Sequence, residues 1–257
     1  MNPAEFTALA RVEREHWFYR GKRDLVRHWA RALTQLRAPD LLVDVGAGTG
    51  QLLVEFGGVC RTVGVEPHPQ ALQIASDAPV RLIQGSITAL PVASGCAALV
   101  TALDVLEHVD DDVQGFAELL RVTRPGGFIF IQVPAFQFLW SDWDESLGHR
   151  RRYTKRALLQ VVSRFNVRVQ RCVYVNSVAF LPVLGYRWLR TRLGDNGGRR
   201  LEDEVPPAAI NWALHKLFVV PACWSWLSPP FGVSIFCIVQ KTPQSTQPSA
   251  SSGESSR

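Results

Sequence analysis

Cysteine is sparse in this chain and arranged for no obvious chemistry. Cys60, Cys96, Cys172, Cys223 and Cys237 are scattered, odd in number and without a CxxC pair. That pattern excludes a disulfide framework or a zinc site and points to reduced, mostly buried thiols in a cytosolic protein. The opening residues Met1 to Leu9 include Glu5 and no long apolar core, so no signal peptide is expected. The longest apolar stretches are interrupted by charges and prolines and fall short of the roughly 20 continuous residues that span a bilayer. No internal repeat is present. Acid is nearly missing from Gly148 to Arg200, where Asp195 stands alone among Arg150, Arg151, Arg152, Lys155, Arg156, Arg187, Arg190, Arg192 and other cations. The net charge of +5 is therefore unevenly spread, and such a surface favours anionic partners: phosphorylated substrates, nucleic acid or acidic lipid headgroups. At 47% hydrophobic residues over 257 positions, a disordered chain is excluded and a sizeable core is affordable.

What is present is an alternation of short apolar runs and amphipathic stretches. Leu41 to Val45, Val63 to Val65, Val80 to Ile83, Ala98 to Leu103 and Phe128 to Val133 read as five strands, the last preceded by a turn at Pro125-Gly126-Gly127. Helical stretches separate them near Gln51 to Phe56, Gln70 to Ala75 and Asp112 to Arg121. This spacing predicts right-handed crossovers and an α/β, doubly wound parallel sheet. A helix over Lys155 to Arg164, a sixth strand over Val167 to Val175 and a final strand over Val233 to Val239 follow. The expected organisation is an N-terminal helical lid (1–38), a Rossmann-like core (39–175), an apolar helical insert (176–232), the last core strand (233–240) and a disordered Ser/Pro/Gln-rich tail (241–257).

The most informative segment is Asp44-Val45-Gly46-Ala47-Gly48-Thr49-Gly50. A strand that runs into closely spaced glycines lets a ligand approach the backbone at the carboxyl edge of the sheet. Glu66, at the tip of the second strand, is placed to accept two hydrogen bonds from ribose hydroxyls. Dehydrogenases use a related loop, GxGxxG, to cradle phosphate; the pattern here is GxGxG.

These residues resemble motifs of the class I S-adenosylmethionine (SAM)-dependent methyltransferases. Val43 to Gly50 resembles their first motif, Val65-Glu66-Pro67 the second, Asp104-Val105-Leu106-Glu107-His108-Val109 the fourth, and Leu120 to Gly127 the turn before strand five, all in order. The resemblance implies SAM as cofactor, with Gly46, Gly48 and Gly50 along its methionine end, Asp44 close by, Glu66 on the ribose, and Ser86, Ile87 and Asp104 completing the pocket. Family members commonly carry Gly-Asp where this chain has Gly85-Ser86, so a serine hydroxyl replaces the acid that contacts the adenine amine. Two further segments, Glu15 to Arg23 and Leu139 to Tyr153, resemble bacterial methyltransferases of polysaccharide and lipid-linked glycan pathways.

Methyl transfer from a sulfonium is an in-line displacement, so the protein has to align the acceptor and remove its proton. His108, just beyond strand four, is the first candidate base. His149 and Tyr153, in an arginine-rich loop, are further catalytic candidates, and guanidinium forks there suit a carboxylate or phosphate. This reading needs no metal. An acid-x-x-Glu-His cluster similar to that of ubiquinone-pathway and small-RNA 3′-end methyltransferases implies an alternative in which Asp104, Glu107 and His108, perhaps with His149, hold a divalent cation.

Phe180 to Leu193 and Ala208 to Leu227 are rich in Trp, Leu, Phe and Val with interspersed cations. They read either as an amphipathic pair at a membrane surface or as a pocket cap or dimer face. The function expected is O-methylation of a small or lipid-linked acceptor, a glycan or isoprenoid intermediate, in the cytoplasm or peripherally at the inner face of the membrane. Nucleic acid is not the expected partner; an RNA methyltransferase and a non-catalytic scaffold are the alternatives.

Overall fold

The computed structural model describes residues 10, 12–75, 79–185 and 204–243. Strand β1 (Leu41–Val45) is continuously apolar except at Asp44 because it is covered on both faces. It pairs in parallel with β2 (Arg61–Glu66) on one side and β4 (Ala97–Leu103) on the other. With β3 (Leu82–Gln84), β5 (Thr123–Pro134), β6 (Val167–Val175) and β7 (Ser234–Lys241), the seven-stranded order is β3-β2-β1-β4-β5-β7-β6. Only β7 runs antiparallel to its neighbours. The chain winds outward from β1 to β3, then crosses back to β4, so the crevice opens at the carboxyl ends of β1 and β4.

Alternate residues of each strand feed two cores. Val43, Val100, Ile129 and Ile131 face α4 (Asp112–Val122) and α6 (Lys155–Val162) through Phe116, Leu119, Leu158 and Val162. Leu42, Leu99, Phe130, Phe236 and Ile238 face α1 (Trp17–Leu33), α2 (Gln51–Phe56) and α7 (Ala208–Cys223). The helix α3 (Pro69–Ile74) lies between β2 and β3 in the chain. Strand β5 starts earlier than its apolar run suggests. Thr123 pairs with Ala97, and the Pro125-Gly126-Gly127 turn is carried as an irregularity before pairing resumes at Phe128 with Leu99. The short helix α5 (Asp142–Leu147) was not legible as such: a capping box between Ser141 and Asp144 starts it and Gly148, at φ 74°, ends it.

The N-terminal segment is more than a lid. Leu25, Val26, Trp29 and Ala30 on α1 are core residues under the sheet, and only the start of the helix borders the crevice. The insert is tied to it. Asn211 of α7 donates to Glu15 O and accepts from Trp17 N, both at 2.8 Å, and His215 Nε2 meets Asp24 Oδ2 at 2.7 Å. Phe218 is buried against α1, stacked on Phe18 and edge-on to Trp17. Helix α7 of the insert is thus packed beneath the crevice wall. Residues 186–203, with Arg187 to Arg200, and the tail from 244 lie outside the described residues.

Gly21 permits the α1–α7 approach, since a Cβ there would stand 2.4 Å from the Phe218 ring. Gly21→Ala is expected to cost about 1–3 kcal/mol by overpacking, and distinctly less in a Phe218→Ala background, where the space is vacated. Denaturant midpoints of the two single variants and the double variant measure this; simply additive costs would separate Gly21 from the ring.

Candidate active site

The end of β1 turns at glycines because the backbone there takes left-handed conformations: φ is 70° at Gly46, 54° at Gly48 and 82° at Gly50. A Cβ at Gly46 would also lie 2.5 Å from Val105 Cγ2. The turn is held against β2 by Gly46 N and Ala47 N, both donating to Val65 O, at 2.8 and 3.2 Å. Glu66 is buried, and its two oxygens accept from Gly48 N at 3.0 Å and His68 N at 3.1 Å. Those bonds fix the carboxylate while leaving it acceptor capacity toward the crevice. A cavity of about 500 Å³ opens there, bounded by Gly46, Gly48, Glu66, Ser86, Ile87 and Asp104.

Asp44 and Gly50 do not line that cavity. Asp44 is buried behind the turn, accepts from Thr101 Oγ1 at 2.5 Å, and is pushed up to about 7 by burial. Gly50 is the residue before α2, where a side chain would meet Val80. Both shape the turn rather than offer contact atoms. Ser86 does reach the cavity, but its Oγ already shares a hydrogen bond with Thr88 Oγ1 at 2.9 Å and accepts from Thr88 N at 3.2 Å.

The facing wall comes from the start of α1: His16, Trp17, Phe18, Tyr19 and Lys22. Lys22 Nζ lies 2.7 Å from Asp104 Oδ2 and 5.0 Å from the Phe18 and Tyr19 ring centres. Asp104 is one of few non-glycine residues with positive φ, at 57°. It lines the cavity paired with Lys22, and it is not among the residues whose ligand atoms gather around His149.

The far end of the cavity is organised by one buried carboxylate. Asp144 receives Arg152 through two bonds, Nε to Oδ1 at 2.7 Å and Nη2 to Oδ2 at 2.9 Å, and His149 Nδ1 at 2.8 Å. Burial alone would raise its pKa, but the bonds from His149 and Arg152 outweigh it and hold the carboxyl well below the usual range. This orients His149 with Nε2 buried, without a hydrogen-bond partner among the described residues, 3.9 Å from Glu107 Oε1. Glu107 is fully buried and neither of its oxygens has a hydrogen-bond partner from another residue among the described residues, while burial and the nearby Asp104 push its pKa well up. The His108 ring stands edge-on to His149 at 4.7 Å. Burial, then His149, lowers His108 to about 4. His108 lines the cavity, where burial disfavours its protonated form. Ligand atoms of Glu107, His108 and His149 all lie within 4.8 Å of one another.

Tyr153 is also corrected. Its hydroxyl donates to Asp112 Oδ2 at 2.8 Å, burial and that carboxylate push its pKa far above the ordinary phenol, and it does not line the cavity. The arginine forks are spent as well. Arg152 is bound to Asp144, and Arg151 donates to Val109 O and Asp110 O at 3.0 and 2.7 Å and pairs with Asp112. Sequence reasoning missed Asp144 and Lys22. Asp144 carried a signal, the Ser141-x-x-Asp144 spacing of a helix start, but its pairing with His149 and Arg152 is a tertiary fact.

Comparison with known proteins agrees with this geometry. The chain matches the methyltransferase domain family over residues 43–131. It is 32% identical over 126 residues to an uncharacterized methyltransferase of Mycobacterium ulcerans, covering 47% of this chain and 49% of that one. A counterpart in Mycobacterium sp. strain KMS is 37% identical over 125 residues with the same coverage. The chain thus spans about half the length of these curated relatives. Among solved structures, a SAM-dependent methyltransferase from Thermotoga maritima superposes with a TM-score of 0.59 at 15% identity, covering 93% of this chain and 96% of that one. Geranyl diphosphate methyltransferase, solved with GPP and sinefungin, gives 0.56 at 16% identity over 85% and 75% of the two chains. At such identities the structures establish the fold, and the matched family implies S-adenosyl-L-methionine as cofactor. Residues 43–131 accordingly match a methyltransferase domain, and the sheet that carries them has the fold of the solved SAM-dependent methyltransferase.

Proposed function

We propose that the protein is a SAM-dependent methyltransferase that methylates an oxygen of a small or lipid-linked acceptor. The observation that carries this reading is the glycine turn with Glu66 bonded to Gly48 at the mouth of a cavity of about 500 Å³. The residues present fit the cofactor. Gly46 and Gly48 bare the backbone, and Glu66 keeps lone pairs for two ribose hydroxyls. Ile87 offers a buried apolar wall to adenine. Bound there, SAM supplies a methyl group on a sulfonium, ready for in-line displacement.

The protein's own part is to align the acceptor and take its proton. His149 lines the cavity, and its buried Nε2 has no hydrogen-bond partner among the described residues, so it is the candidate acceptor of that proton once the acceptor is seated. Asp144 is a positioning residue that fixes the ring through Nδ1, and Arg152 locks Asp144 in turn. Trp17, Phe18, Trp143, Leu147 and Val183 line the same space. With Arg151 and Arg152 already paired, these walls suit an acceptor that is neutral where it reacts, which supports a glycan or isoprenoid intermediate over RNA. No helix among the described residues is long and apolar enough to cross a membrane. Exposed Ile210, Trp212, Leu217, Trp224 and Trp226 on and after α7 support peripheral contact with a lipid surface.

One observation favours a second arrangement at the same end. A fully buried carboxylate with no hydrogen-bond partner, beside two imidazoles, is the donor set of a divalent cation site. The Asp144 bond to His149 Nδ1 is the outer-shell contact that metal-bound histidines make. Glu107, His108 and His149 would hold the ion, which would polarise a hydroxyl acceptor.

Gly48→Val should abolish SAM binding in titration calorimetry by filling the space beside the cofactor; unchanged affinity refutes the placement. His149→Ala should lower turnover by about 10²–10⁴-fold while SAM affinity holds. Chelation separates the two arrangements: activity indifferent to EDTA supports His149 as base, and activity lost and restored by Mn²⁺ or Mg²⁺ supports the cation.

A further inference from the structure

We infer that Glu13, in the turn before α1, belongs to the cofactor site, where its carboxylate receives the α-ammonium group at the methionyl end of SAM. The inference deepens the cofactor reading above and rests on it.

The turn carrying Glu13 is built to present that side chain. Glu15 N and His16 N bond back to Val12 O at 3.1 and 2.8 Å. The nearest guanidinium serves the backbone rather than the carboxylate. Arg23, buried on α1, donates through Nη1 to Glu13 O at 2.7 Å and through Nη2 to Arg14 O at 3.2 Å, and its Nε is paired with Glu55 Oε1 of α2 at 2.7 Å. The Glu13 side chain lines the cavity and accepts a hydrogen bond from Thr49 Oγ1, the residue after Gly48. The other nearby cation, Lys22, is committed to Asp104 at 2.7 Å. Glu13 therefore enters the cavity on the glycine-turn side, with a hydroxyl as its hydrogen-bond donor among the described residues.

Its surroundings call for a positive charge. Asp44 and Glu66 are close enough that Glu13 raises the pKa of each, on top of the larger effect of burial, and Glu13 is itself raised by burial despite Thr49 and Arg23. Three carboxylates around one turn repel one another, and a cation arriving with the ligand relieves them. The ligand carries two cationic groups. The sulfonium has no N–H and must face the acceptor end, near Asp104 and His149. The ammonium offers three donors, and the methionyl chain runs along the turn that Thr49 belongs to. Glu66 is already assigned to the ribose. The ammonium is the group whose charge, donors and position match Glu13.

Glu13→Gln keeps an oxygen for Thr49 and removes the charge. Calorimetry on the full chain compares three ligands: SAM, S-adenosylhomocysteine, which retains the ammonium and lacks the sulfonium charge, and 5′-methylthioadenosine, which lacks the amino-acid end altogether. The expected result is a Kd about 10- to 100-fold higher for the first two, no change for the third, and an unchanged thermal midpoint without ligand. Glu13→Asp, charged but shorter, should show the same pattern at smaller size. Loss for SAM alone would assign Glu13 to the sulfonium, equal loss for all three would make its role structural, and no loss would remove it from the site; each overturns the inference. Wild-type chain that binds none of the three ligands overturns the cofactor reading itself, a result distinct from any of these.

Discussion

At the head of β1 the backbone has to turn back within hydrogen-bonding distance of β2 while leaving room in front of it. Two main-chain amides bonding to Val65 O and one side-chain bond from Gly48 to Glu66 satisfy that constraint together. A side chain at Gly46 would collide with Val105, which belongs to the loop after β4. The turn therefore sets how closely the β2 and β4 tips approach, and with that the position of Asp104, Glu107 and His108. Everything placed at the carboxyl edge inherits its geometry from this one reversal.

The charges in the crevice obey the cost of removing ions from water. Lys22 is matched to Asp104 and Arg152 to Asp144, each through bonds short enough to offset desolvation. The pairs bring lysine and arginine side chains into the walls without leaving a free positive charge. Glu107 at the acceptor end, and Glu13, Asp44 and Glu66 around the glycine turn, have no paired cation among the described residues. Buried carboxylates left unmatched mark where the protein expects a group from outside.

How much of this was legible in the sequence follows from the range of the forces involved. Strands β1, β4 and β7 showed themselves as apolar runs because burial on the sheet is written into consecutive residues, and the glycine turn did so because left-handed backbone restricts residue choice. Helix α5 escaped notice, since six residues starting Asp-Trp-Asp-Glu carry too few apolar positions to display a period. The joining of α1 to α7 depends on Phe218 meeting Gly21 across nearly two hundred residues, and no local pattern announces it. The site divided in the same way. Glu66 and the glycines could be named from position on a strand. The demotion of Tyr153, the lowered pKa of His108 and the pairing of Asp104 with Lys22 depend on burial and neighbours that only the folded chain supplies.

The seating of Phe218 beneath Trp17 and Phe18 has a consequence for how this scaffold diversifies. Those two aromatics form a wall of the cavity, yet their support comes from α7, which begins 77 residues beyond the matched region. Drift in the outer helix can thus reshape the room offered to an acceptor while the glycine turn and Glu66 stay untouched. The two ends of the pocket therefore rest on separate supports, the glycine turn on β2 and the aromatic wall on α7.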